Sequence, residues 1–169
     1  MKHLREAAGP TDYFTAYEHG GRISPACTGA DAIAAVTIAI TEAERLVGAP
    51  LIRLLPLHPD TGQPAQIKIV TDNGEAVKGA AFAKFIASRP ELLHIRTRAK
   101  SPGENGVRER AFGTLKYAHL YRHAGQIATL ADLYREAESH RMILSETRPH
   151  EAPGMHRPIE IIRDRSPRT

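Results

Sequence analysis

Asp72 and Glu109 are the two carboxylates of this sequence best placed for chemistry. Asp72 follows the run Ile69-Val70-Thr71, where an apolar strand ends, and Glu109 falls in the first turn of a helix expected over Gly106 to Leu120. A carboxylate at a strand end and another at a helix start converge without distorting either element. That is the arrangement two-metal phosphoryl transfer needs, with ions about 3.5 to 4 Å apart activating the attacking oxygen and stabilising the leaving one. Each residue also has a simpler reading: Asn73-Gly74 is a turn signal, and an acidic residue in a first turn is favoured by the helix dipole alone. His119 and His123, four apart at one helix end, have a spacing compatible with metal, but the sequence offers no third ligand beside them, and they read as polar residues at a helix C-terminus. Cys27 reads as an ordinary small residue just before a helix, and Asp60 as a turn former in a proline-rich loop.

The elements that must position these groups follow from pattern. Tyr13, Phe14, Thr15 and Tyr17 around Gly20-Gly21 predict a short antiparallel hairpin over residues 11–27. Thr28 with Asp31 is a capping signal, and Ile33, Val36, Ile40, Ala43 and Val47 recur at helical spacing until Gly48. Residues 51–64 read as a loop. Gln66 to Thr71 predicts a buried strand, Ala80 to Ser88 a helix with Phe82, Phe85 and Ile86 on one face, and Leu92 to Thr97 a second strand. Ala99 to Asn105 is turn-rich. The helix over 106–120 is expected to turn Val107, Ala111, Leu115 and Ala118 inward, and a last helix, capped by Thr129 with Asp132, runs to Leu144. From Arg148 onward the Pro- and Arg-rich sequence has no periodicity and reads as a partly disordered tail. This order predicts an α/β domain on a mixed sheet, with its functional site beyond strand ends.

Composition narrows the class. The chain has 169 residues, a formal net charge of +4 and one cysteine, which points to one domain in a reducing compartment and excludes an internal disulfide. No apolar run approaches the roughly 20 residues of a membrane span, and the charged start does not read as a signal peptide, so the expectation is a cytoplasmic, nucleoid-associated protein with no membrane partner. The modest charge conceals a division. Residues 1–75 carry six basic and nine acidic side chains, whereas residues 84–122 carry nine basic and three acidic. Within that basic block Arg96, Arg98, Lys100, Arg108, Arg110 and Lys116 form the footprint expected of a surface that neutralises DNA phosphates.

The run Ile69-Val70-Thr71-Asp72-Asn73-Gly74, then Phe82 and Phe85, His94-Ile95-Arg96-Thr97-Arg98, Ser101-Pro102, Asn105-Gly106, Glu109-Arg110, Leu115-Lys116 and Arg148-Pro149-His150 resembles the integrase-type (DDE) catalytic core of bacterial insertion-sequence transposases. The resemblance covers about residues 12–160. It implies an RNase H-like fold, a mixed sheet flanked by helices, and a triad of two aspartates and a glutamate holding Mg²⁺ or Mn²⁺ for cutting element ends and joining the freed 3′-hydroxyl to target DNA. It implies further that Asp72 is the second metal-binding aspartate and Glu109 the glutamate, that Asn105-Gly106 is the turn delivering that glutamate, and that Lys116 lies near DNA. Thirty-six residues separate the two carboxylates, one more than the family usually keeps.

The family's first aspartate lies on an opening strand that should precede the segment Asp12-Tyr13-Phe14-Thr15-Ala16-Tyr17-Glu18. Residues 1–11 carry neither strand character nor an aspartate. The sequence therefore predicts an N-terminally truncated core lacking its first strand: an irregular start over 1–11, the incomplete core over 12–147, and a tail over 148–169. Weak or absent activity is expected of the chain alone, with a second copy or an intact transposase as protein partner. The alternative is a noncatalytic DNA-binding or interaction module that associates with an intact transposase. Leu144-Ser145 departs from the Tyr-Asn the family usually places before Arg-Pro-His, and Val77 stands where an aromatic is common.

Overall fold

The computed structural model describes residues 9–98, 111, 113–151 and 154–164. Its longest element is helix α1 (Gly29–Val47). The Thr28 hydroxyl accepts from the Asp31 amide while the Asp31 carboxylate accepts from the Thr28 amide, a reciprocal capping box. Gly48 closes the helix at φ +76, the left-handed conformation that glycine adopts without strain. Short helix α2 (Leu51–Leu54) begins the region read as a loop. Strand β1 (Ile67–Thr71) is followed by short α3 (Glu75–Lys78), then α4 (Ala80–Ala87) and strand β2 (Leu92–Arg96). Helix α5 (Thr114–Leu120) is wound as a π-helix, α6 (Leu130–Met142) starts on a second capping box formed by Thr129 and Asp132, and α7 is Pro158–Asp164. Among the described residues no helix is long and apolar enough to cross a membrane.

β1 and β2 pair in parallel with Ile67 opposite Leu92 and Thr71 opposite Arg96, α4 forming the crossover between them. The alternation of a strand puts Ile67, Ile69, Leu92 and His94 on one face, and there Leu92 joins Val36, Ile40, Phe82 and Ile86 in the core, with Ile67, Ile69 and Val77 packed around them. The opposite face holds Lys68, Val70, Leu93 and Ile95, and its three apolar side chains remain 36 to 44% exposed. The expectation of a buried β1 is corrected here. An apolar run does not reveal how many faces of the sheet are covered, and among the described residues only one is. Among the described residues the sheet is two-stranded and parallel, and no strand precedes β1.

The predicted hairpin over 11–27 reduces to one antiparallel bridge, Thr11 with Glu18. Its turn is made by Asp12, whose carboxylate accepts from the amides of Phe14 and Thr15, and not by Gly20-Gly21. Gly20 instead lies against α1, where an added Cβ would come within 3.1 Å of the Ile38 side chain. The segment is clasped to the C-terminal half: Ser145, fully buried, accepts from the Glu18 amide and donates to its carbonyl. The departure at Leu144-Ser145 thus has a structural use. Part of the tail is helix rather than disorder, because Pro158 occupies the first position of α7, where its missing N–H costs nothing, and Pro158 and Ile159 are buried.

Buried and half-buried histidines, His19 and His94 among them, couple this packing to pH. Burial lowers the pKa of His19 below its usual value despite the nearby Glu42 and Asp12 carboxylates, and burial, helped by Arg96, lowers that of His94. Both are held neutral in the fold, whereas the unfolded chain takes up their protons near pH 6.5, so stability rises with pH through that window and falls as it is left on the acid side. The capping carboxylates Asp31 and Asp132, both held well below the usual carboxylate range by hydrogen bonds from their caps, act in the same sense at lower pH. Thermal unfolding followed by circular dichroism should show a melting temperature that falls steadily from about pH 7.5 to about pH 5. A flat or rising profile contradicts this.

Candidate nucleic-acid and metal site

A parallel pair presents the C-terminal ends of both strands at one edge of the sheet, where ligands of α/β sheets bind. Asp72 follows the last residue of β1 at that edge, and Arg96, Thr97 and Arg98 stand beside it at the end of β2. The junction is fixed by several hydrogen bonds. Thr97 donates its amide to the Thr71 carbonyl at 2.8 Å, the Asn73 side chain donates to the Thr97 carbonyl at 2.7 Å, and the Thr71 hydroxyl meets His94 Nε2 at 2.8 Å. His94 in turn lies edge-on to Phe82, with ring centroids 5.1 Å apart. The core thereby holds the strand end that carries Asp72.

Asp72-Asn73-Gly74 does not make a hairpin turn. One Asp72 carboxylate oxygen accepts from the Gly74 amide at 2.9 Å, turning the chain into α3, and the side chain is exposed. Arg96 and Arg98 are exposed at the same edge. Glu109, the second predicted carboxylate, lies outside the described residues, as do Lys100, Arg108, Arg110 and the turn Asn105-Gly106. Lys116 is half-buried on α5 with its ammonium 5.2 Å from the Tyr117 ring centroid, and α5 packs chiefly on α6. Ala118, expected inward, is exposed, while Leu120 is buried in its place. The π-helical winding changes which residues share a face. Asp60 is exposed in a turn, 3.9 Å from His58. Among the described residues no group of three His, Cys, Asp or Glu ligand atoms includes Asp72. The described part alone therefore does not make a complete cation site there.

Such a group occurs elsewhere. α5, the turn that follows it and α6 bring together His119, His123 and Glu136, with one donor atom from each lying within 4.8 Å of the others. His119 Nε2 is 3.1 Å from the Glu136 carboxylate and His123 Nδ1 is 3.9 Å from it. The third partner, which the sequence did not reveal beside His119 and His123, comes from the facing helix. The available signal was a second pair four apart, Glu136 and His140, on α6.

No protein-family model matches the sequence, and no curated protein matches it. Solved structures do. A chain of the simian T-cell lymphotropic virus intasome in complex with PP2A regulatory subunit B56 gamma superposes with a TM-score of 0.60 at 20% identity, over 83% of this chain and 42% of that one. The present chain thus spans less than half the length of that relative. The HTLV-2 integrase catalytic core domain in complex with magnesium gives 0.59 at 20% identity, over 89% of this chain and 80% of that one. The catalytic core domain of BIV integrase gives 0.53 at 17% identity, over 85% and 76%. The chain has the fold of retroviral integrase catalytic cores, a mixed α/β, RNase H-like arrangement in which a small parallel sheet is flanked by helices.

Proposed function

We propose that this chain is the core part of a DNA strand-transfer system of the bacterial insertion-sequence type. In this reading Asp72 and Glu109 are carboxylates for Mg²⁺ or Mn²⁺, and Arg96, Arg98, Lys100, Arg108, Arg110 and Lys116 face the DNA backbone. The observation that carries it is the position of Asp72: an exposed carboxylate at the C-terminal edge of a parallel strand pair, flanked by Arg96 and Arg98, in a fold shared with integrase cores. Cations bound there would be held against a basic surface that attracts the phosphates on which such ions act.

Two carboxylates hold a metal pair poorly, and the opening strand that carries the third in the resembled family is not among the described residues. In this reading the chain's protein partner is a second copy or an intact transposase acting at the nucleoid. The same observation favours the second reading, a noncatalytic DNA-binding module that joins an intact transposase. Metal binding at Asp72 separates the two: Mn²⁺ bound at the sheet edge by the native chain and lost there in Asp72→Asn supports the core reading, and Mn²⁺ binding at that edge indifferent to the change overturns it.

A further inference from the structure

We propose that His119, His123 and Glu136 form a second cation site, for a divalent transition metal of the zinc class, that ties α5 to α6. Imidazole and carboxylate donors are the ligands Zn²⁺ prefers to share, and two histidines with one glutamate are a sufficient protein set for it. Donors around a tetrahedral zinc with bonds of about 2.0 to 2.2 Å lie roughly 3.3 to 3.6 Å apart. The three donor atoms here lie within 4.8 Å of one another, the closest pair at 3.1 Å, so small side-chain rotations close the site without moving either helix.

A bare ion pair between His119 and Glu136 accounts for only part of this arrangement. His123 Nδ1, the ring nitrogen 3.9 Å from the Glu136 carboxylate, donates to the His119 carbonyl at 2.9 Å, so a turn of this ring that opens that bond would be needed to give the ion a nitrogen lone pair. His140, one turn beyond Glu136, stacks on His119 with ring centroids 4.9 Å apart. It is 8% exposed, and its Nε2 is buried with no hydrogen-bond partner. Buried polar atoms are rarely left so, and this one belongs to a ring that lies beside His119. The site is separate from Asp72 and does not depend on the strand-transfer reading.

The test is calorimetric titration of the untagged, metal-stripped full chain with Zn²⁺, alongside its melting temperature. One equivalent should bind with micromolar or tighter affinity and raise the melting temperature, and excess Mg²⁺ should not displace it. His123→Ala and Glu136→Gln should each weaken binding tenfold or more. His123 is chosen because its side chain is 38% exposed, so its loss is compatible with folding, and the native melting profile of the metal-free variant verifies this. Asp72→Asn should bind Zn²⁺ as the native chain does. Absence of saturable binding, or full affinity in both variants, overturns the proposal.

Discussion

Raising the salt concentration from about 50 to about 200 mM should weaken binding of this chain to duplex DNA by about a thousandfold. The six basic residues assigned to the DNA face, Arg96, Arg98, Lys100, Arg108, Arg110 and Lys116, would neutralise about six phosphates. The counterions released then give a slope near −5 in log affinity against log salt. Arg96→Ala and Arg98→Ala are the most informative variants, because both side chains are exposed at the sheet edge beside Asp72. Each should lower the slope by about one and weaken binding evenly across sequences, since phosphate contacts position a protein without reading bases. Fluorescence anisotropy with a labelled duplex measures this. Affinity indifferent to salt, or a slope unchanged in both variants, would remove the basic block from the account.

Arg141→Ala should destabilise the fold by about 3 to 5 kcal/mol, the cost of leaving a buried charge without its partner. Arg141 and Glu42 are both largely buried, 12% and 10% exposed. The guanidinium donates to Glu42 Oε1 at 3.0 Å and to the Glu18 carbonyl at 2.9 Å, while the Tyr17 hydroxyl and the Gly20 amide donate to the same Glu42 carboxylate. One side chain thus joins α6 to α1 and to the N-terminal segment. The second arm is a two-bond fork to Glu138, whose side chain is 35% exposed, and a glutamine there would keep one of the two acceptors. Glu138→Gln should therefore cost less than about 1 kcal/mol. Urea denaturation with an unchanged m-value checks both, and an Arg141→Ala loss below about 1 kcal/mol would contradict the assignment of this cluster as the clasp.

The elements that were legible in the sequence are those whose signals are local. Thr28 with Asp31 and Thr129 with Asp132 each announce a helix start within four residues, and both form complete capping boxes. The strand pair and the position of Asp72 at a strand end were legible because apolar runs bounded by Asn-Gly and Arg-Pro punctuation delimit short strands. The misreadings involve tertiary facts. Gly20-Gly21 looked like a turn but serves close approach to α1, the turn being supplied by the Asp12 side chain. Val70 looked buried, yet its face of the sheet is open. α7 has too few residues for periodicity to show, and Glu136 reaches His119 only because α5 packs against α6.

The central claim is that Asp72 marks a divalent-cation site on an integrase-type core, and Mn²⁺ read by nuclear magnetic resonance tests it most directly. A paramagnetic ion broadens the signals of nuclei near it. Mn²⁺ should therefore broaden the backbone amides of Thr71, Asp72, Asn73 and Gly74 together with those of Arg96, Thr97 and Arg98, which share that edge of the sheet. In Asp72→Asn this broadening should vanish, while any around His119 and His123 persists. Broadening at the sheet edge that survives the substitution, or that never occurs there in the native chain, would contradict the claim.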